Sequence, residues 1–463
     1  MQEIIERIRR SYESLGEFRE MRARCKRYTY GRQWDDPVCY EGRTMRESEY
    51  IRLQGSVPMK NNLIRRLVRN VVGVFRNRYA FPAADRLGLD KEKAADAAIY
   101  ASLLEMADAN RLPELFARTM EEFLISGMAV VRLTPDAAIP GLAGRAPVGT
   151  TRYDYVAPDA FFVDAKARDF RGWDATLVGE IHDIDLPSLI GVFARTPQDV
   201  KRLESLYPEA ARQPGGQAAR CRVYEVWWLD TPQRYRVHDP ESGQLYKMER
   251  ADYEKLPRRE RRRLDARWFV DRHWRYAFLT PEGDVLAEGD SPLPDGGHPY
   301  IWKGYPFIDG EIHSFVDDVI DQQRFTNRLI TMYDWILRSS AKGVLLFPQE
   351  AVPAGSDIDD IIDEWSRFNG VIMYRSKGGT QPPHQVSGTA SQNGITDLLN
   401  IQMKMFEDVS GVNSAMQGKL ESGSTSGTLY DIQMRQAMVS LQDILDTFDD
   451  FLRSVALRAL ALR

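Results

Sequence analysis

SFVDDVIDQQRFTNRLITMYDWILRSSAK, residues 314–342, runs without a glycine or a proline. Such a stretch predicts one long helix of about 43 Å at 1.5 Å per residue. Ser314 and Asp317 stand at capping-box spacing at its start. Its apolar residues do not gather into one stripe: Phe315, Val316, Val319, Ile320, Leu329, Ile330, Tyr333, Ile336 and Leu337 spread around much of the circumference. A helix that is apolar on several sides needs partners on several sides, which predicts self-assembly.

On both sides of this helix the texture changes. Upstream, residues 129–307 read as a mostly β insert. Ala129 to Leu133, the aromatic-rich segment 151–165, CRVYEVWWLD (221–230), RYRVHD (234–239) and DARWFVDRHWRYAFLT (265–280) carry strand patterns, and 139–149 and 213–217 are loops. Before the insert the chain is helical. Residues 1–27 form an amphipathic helix, a second helix opens at Asn61 and Asn62, and a third covers 91–109. Pro113 then leads ELFARTMEEFLIS up to Gly127.

Downstream lies a small α/β module: strand GVLLF (343–347), the acidic helix DIDDIIDEWSRF (357–368) and strand GVIMYRSK (370–377). A helix at 395–409, a Gly/Ser-rich loop from Gly418 to Gly427 and a helix at 428–462 follow. The last helix stops mid-pattern at LRALALR without a cap signal, which predicts that the natural chain continues. No repeat of fixed period is visible, so solenoids and propellers are excluded. The predicted class is α+β.

Hydrophobic residues make up 43% and charged residues 28%, enough for a sizeable core in a multi-unit chain. The net charge of −5 argues against a protein that simply coats nucleic acid. Its distribution is polar. Residues 1–80 hold 18 Lys and Arg against 10 Asp and Glu, whereas residues 309–463 hold 13 against 21. This asymmetry predicts different partners at the two ends. Cys25, Cys39 and Cys221 lack metal-ligand spacing. The charged N-terminus has no apolar signal-peptide core, and no stretch approaches a membrane span, so a cytoplasm-like environment is expected.

Enzymatic motifs fail on spacing. Gly411 and Gly418-Lys419 invite a phosphate-loop reading, but six residues separate the glycines and Leu420 stands where Ser or Thr would hold magnesium. Asp154, Asp159, Asp164, Asp169 and Asp174 recur every five residues. Converging carboxylates of this kind would serve a metal-dependent hydrolase or nuclease, whereas turn-forming aspartates explain them more simply. The six histidines show no zinc-site spacing, and no GxSxG elbow occurs. The densest basic run, Pro257 to Arg267, reads either as a phosphate-binding arm or as a solvated helical turn or hairpin tip.

Several segments taken in order resemble one family. YGRQW (30–34), VPMKNNLIRRLVRNVVGVFRNR (57–78), FLISGMAVVRL (123–133), VAPDAFFVDAKARDFRGWDA (156–175), CRVYEVWW (221–228), the run from His298 to Leu337, and FEDVSGVNSAMQGKLESGSTSGTLYDIQMRQAM (406–438) look like the successive motifs of tailed-bacteriophage portal proteins, closest to those of short-tailed phages. The resemblance spans nearly the whole chain; each motif alone is weak, and their order carries it.

The resemblance implies a structural ring, usually of twelve subunits, at one capsid vertex of the virion, assembled in the host cytoplasm. Such a ring conducts double-stranded DNA during packaging and ejection. It docks a terminase packaging motor and a head-completion or tail adaptor, and meets the major capsid and scaffolding proteins. It implies no enzyme activity, cofactor, metal or membrane.

By position, 1–311 would be the wing (helical over 1–128, mostly β over 129–311), 312–342 the first stem helix and 343–388 the clip. Residues 389–410 would be the second stem helix, 411–428 the tunnel loop and 429–463 a helix toward a crown that is absent, short or beyond residue 463. The channel residues implied are Lys404, Gln417, Gly418, Lys419, Ser422, Gly423, Ser424, Ser426, Gly427 and Arg435. The clip residues implied are Asp357, Asp359, Asp360, Asp363, Glu364, Trp365, Arg375 and Lys377. A sparse cationic complement suits a channel that must let DNA slide, because each phosphate neutralised adds affinity.

Overall fold

The amphipathic N-terminal run forms two helices, Gln2–Ser14 and Gly16–Thr29, rather than the single one expected. The break falls at Leu15, just before a glycine of low helix propensity. The computed structural model describes residues 1–79, 93–135, 151–212, 220–342, 344–348, 382–386, 392–412 and 427–462, together with 352, 357, 359, 361–363, 372 and 374. By contacts the chain groups into two units. One comprises Met1–Tyr30, Ile64–Asp318 and Ser410–Arg463; the other comprises Gly31–Leu63 and Val319–Val409.

Among its described residues the larger unit holds four antiparallel sheets, one of them the two-stranded pair Pro306–Ile308 and Glu311–Ile312. Its main sheet has five strands in the order Val285–Asp290, His273–Leu279, Cys221–Asp230, Leu177–Ile184 and Phe161–Val163. Helix Gln2–Ser14 lays Ile5 and Ile8 on this sheet, against Phe162, Leu177, Val226, Trp228, Ala277 and Leu279. A three-stranded sheet pairs Met128–Thr134 with Tyr300–Gly304 on one side and Arg152–Tyr155 on the other. A second three-stranded sheet pairs Gln233–His238 with Asp265–Val270 and Leu245–Glu249. The insert is less purely β than expected, since Leu186–Phe193, Pro197–Leu206 and Pro208–Arg212 are helices. Their start signals are Asp185 and Thr196, whose side chains accept N–H bonds from Ser188 and Asp199.

Helices Leu63–Arg78, Leu112–Ser126 and Gly427–Ala461 share an aromatic core. The Phe448 ring lies 5.2 Å from Phe75, 5.5 Å from Phe123 and 5.5 Å from Phe451. Gly127 ends the Leu112–Ser126 helix at φ +77°, and a Cβ there would stand 2.2 Å from the His313 carbonyl oxygen. Only glycine satisfies both the left-handed turn and that close approach.

In the smaller unit, the helix expected at 314–342 begins as a 3-10 turn, Asp317–Val319, and is α-helical over Ile320–Lys342. The Ser314 hydroxyl oxygen accepts the Asp317 N–H at 3.2 Å while donating to the Ile125 carbonyl at 2.7 Å, all within the larger unit. Strand Val344–Leu346 pairs with His384–Val386. The strand expected at 370–377 is not seen at Ile372 and Tyr374, the two of its residues that are described. Helix Gln392–Ser410 follows. The class is α+β, as expected.

Candidate functional site

Helix Ile320–Lys342 buries polar residues beside Ile320 and Leu329 and exposes several apolar ones. Gln323, Thr326, Asn327 and Thr331 are buried, while Phe325, Met332 and Trp335 are 46%, 53% and 55% exposed. Buried amides need partners, and here the extended segment before Leu63 supplies them. Gln323 donates to the Asn61 carbonyl at 2.7 Å and accepts the Leu63 N–H at 2.9 Å. Asn327 accepts the Asn61 N–H at 3.0 Å and donates to Gln33 at 2.7 Å, and Gln33 donates onward to Asn62 at 3.0 Å. Trp34 donates to the Met59 carbonyl at 3.0 Å, and the Met59 N–H donates to Thr331 at 3.2 Å. Buried Glu47 accepts Arg328 at 2.9 Å. Within the YGRQW motif, Gln33 thus bonds this helix directly, and Trp34 holds the segment that bonds it.

Helix Gln392–Ser410 also presents apolar residues to solvent. Leu398, Ile401, Met405 and Val409 are 47%, 52%, 51% and 48% exposed at a spacing of three, four and four residues, which is one stripe. Lys404 is exposed on the same helix. Gly411, at φ +67°, ends it, and the Ser440 hydroxyl donates to the Gly411 carbonyl at 2.8 Å. Sequence reasoning missed both exposed rows; the period of Leu398, Ile401, Met405 and Val409 was the available signal, but nothing local says which face of a helix ends up outside.

The implied channel and clip residues divide. Gly427 opens the Gly427–Ala461 helix. Gln417, Gly418, Lys419, Ser422, Gly423, Ser424 and Ser426 lie outside the described residues, as does the side chain of Arg435. Asp357, Asp359 and Asp363 are exposed, the latter two in helical backbone. Asp360, Glu364, Trp365, Arg375 and Lys377 lie outside the described residues.

The aspartate series does not converge. Asp154 takes Arg152 at 2.7 Å, Asp159 takes Arg22 at 3.0 Å, and Asp169 takes Arg171 at 2.9 Å. Asp164 accepts the Thr176 hydroxyl, and Asp174 accepts the backbone N–H of Arg168 at 2.6 Å. Asp154, Asp164, Asp169 and Asp174 are spent within their own segment, and Asp159 on the distant Arg22. Among the described residues, the one set of three close enough to share a metal ion is Glu180, His182 and Glu225, none of it from that series. There Arg132 already supplies a cation, 2.9 Å from Glu225. The constellation is therefore an internal ion network. Burial alone would push the Glu225 carboxyl up, but the Arg132 charge and bonds from His182 and Trp227 outweigh it and hold the pKa at about 2. Burial raises that of Glu180.

A model of the phage P22-like portal protein family matches residues 5–462. The chain belongs to that family. Among curated proteins no sequence matches it. As a P22-like portal protein it is a structural component of the head–tail connector at the capsid vertex of a virion, where portal subunits act as an oligomeric ring in genome packaging and ejection. The family is structural rather than enzymatic, and nothing among the described residues supports the alternative of a hydrolase or nuclease built on residues 154–174. Among the described residues no helix is long and apolar enough to cross a membrane.

Proposed function

We propose that twelve copies of this chain close into a ring whose subunit contacts run along helices Ile320–Lys342 and Gln392–Ser410, with the duplex passing through the centre. The inverted burial of Ile320–Lys342 carries this reading. Gln323 and Asn327 on its polar face are already bonded inside their own unit, while Phe325, Met332 and Trp335 keep about half of their surface open to solvent in a lone subunit. Apolar area left this way favours association by about 25 cal/mol per Å² covered. The stripe of Leu398, Ile401, Met405 and Val409 offers a matching apolar surface to a neighbouring copy.

In this reading 1–311 is the wing, 312–342 and 389–410 are stem helices, and 343–388 is the clip. Residues 411–428 form the tunnel loop, and 429–463 lead toward the crown side. Lys404, Lys419 and Arg435 are the sparse cations near passing phosphates, with Gln417 and the Gly/Ser residues 418, 422–424, 426 and 427 lining the loop. The clip acids at 357, 359, 360, 363 and 364, with Trp365, Arg375 and Lys377, dock a terminase motor and a head-completion or tail adaptor. The wing meets capsid and scaffolding proteins, and assembly takes place in the host cytoplasm.

Light scattering combined with negative-stain imaging of the purified chain tests the reading. Closed rings of twelve are expected beside monomers awaiting assembly. A strictly monomeric chain across salt and concentration would sink it. Asp357, Asp359 and Asp363 changed together to Ser are expected to weaken motor or adaptor binding with rings intact; unchanged binding would move docking to another surface.

A further inference from the structure

The small sheet of Gln233–His238, Leu245–Glu249 and Asp265–Val270 sets three cations side by side. Arg236 pairs in register with Lys247 on one neighbouring strand and with Arg267 on the other. Directly paired residues project to the same face of a sheet, and adjacent strands lie about 4.8 Å apart, so the three charges form a row on one face. All three residues are exposed. Like charges directly abreast destabilise a sheet. The row is therefore a cost to the fold that a polyanion would relieve.

Neighbouring acids cancel only the Lys247 end of it. Asp271 accepts Lys247 at 2.9 Å and Arg234 at 2.6 Å, and Glu249 accepts Arg234 at 2.6 Å. Among the described residues Arg236 and Arg267 form no ion pair, although Asp265 lies two residues before Arg267 on the same face. Arg236 instead leans on the Phe269 ring, 5.5 Å from its centroid, which keeps the guanidinium spread on the face. Helix Arg258–Arg263 runs directly into the third strand and adds Arg258, Arg259 and Arg262, all exposed. On the opposite face Tyr235 stacks on Tyr253 of helix Arg250–Lys255 at 4.1 Å, and the neighbours there, Trp268 and Val270, are uncharged. The cations thus gather on one face, in a chain whose net charge is −5.

We propose that this face, with the Arg258–Arg263 helix, is a second DNA-contact surface outside the channel, binding the phosphate backbone of duplex DNA without reading its bases. Charge and spacing select a polyanion. The inference rests on the portal reading only for naming that polyanion as the genome.

The test measures binding of a short mixed-sequence DNA duplex to the assembled protein as a function of salt. Each cation removed from a phosphate contact lowers the slope of log affinity against log salt by about 0.9. The double variant R236Q/R267Q should therefore lose about 2 from the slope per bound subunit. R236E supplies an independent arm. It places an acid between Lys247 and Arg267, so it should raise the melting temperature at low salt while weakening DNA binding. A slope and affinity equal to wild type in both variants would overturn the proposal. So would tight binding of poly-glutamate with none of DNA, which would make the face a protein-docking surface. Ring mass measured on the same samples separates the two readings: an absence of rings in the wild type indicts the portal assembly, whereas rings with unaltered DNA binding indict this surface alone.

Discussion

Arg132 and Glu225 form an ion pair at 2.9 Å with side chains 3% and 0% exposed. Arg132 belongs to the Met128–Thr134 strand and Glu225 to Cys221–Asp230, so the pair rivets two sheets together. His182 at 2.9 Å and the Trp227 indole N–H at 2.9 Å complete the shell of Glu225.

Removing one partner of such a pair strands the other in low dielectric at a cost of about 3–5 kcal/mol. Arg132→Met and Glu225→Gln are each expected to lower stability by that order, read from denaturant midpoints. The Glu225 contribution also depends on pH. Its folded pKa of about 2 lies below the unfolded value of about 4.3, so its stabilisation is present above the unfolded value and lost as pH falls toward 2. Stability that falls equally steeply through this window in wild type and E225Q would show that other carboxylates dominate.

His298 titrates from the opposite starting charge. Burial holds its imidazole at about 4, and its ring lies 4.6 Å from Trp274. The unfolded chain, with a histidine pKa of about 6.5, takes up the proton first, so folding is penalised progressively as pH drops from about 6.5 to 4. His298→Gln should flatten the melting-temperature profile between these pH values and leave the region above pH 7 unchanged in shape. A variant profile parallel to wild type below pH 6.5 would refute the assignment.

Ile401 and Met405, both exposed on helix Gln392–Ser410, are expected to tolerate change in the subunit but not in the ring. Ile401→Lys with Met405→Lys should leave monomer melting within about 0.5 kcal/mol of wild type, as for surface positions generally. The same variant should abolish rings in light scattering. Rings of normal mass would place the subunit contact elsewhere.

Lys419 lies in the Gly/Ser-rich segment from Gly418 to Gly427. Glycines and serines at that density favour many backbone conformations over one. Lys419→Ala and a shortening within 421–426 should spare ring assembly and change packaged DNA length or retention. Lost rings would make the segment a structural joint, and wild-type packaging would remove its proposed role with DNA.

Much of this protein was legible in its order of residues. Apolar period and turn residues located the helices Leu63–Arg78 and Leu112–Ser126, the strand Cys221–Asp230 and the long helices near 320–342 and 427–461, because helix and strand periods are local properties. The succession of weak motifs was enough to indicate the family. Of the aspartate series, Asp164, Asp169 and Asp174 do serve turns, accepting N–H groups a few residues away, whereas Asp154 sits in a strand and Asp159 pairs with Arg22.

Tertiary structure alone decided the rest. Nothing local reveals that Gln323 and Asn327 are buried while Phe325 is exposed, because that inversion depends on amide partners at Gln33 and Asn61 far away in sequence. Nor does the spacing of Arg236, Lys247 and Arg267 disclose that they stand abreast; cross-strand register, a property of paired segments and not of either one, puts them there.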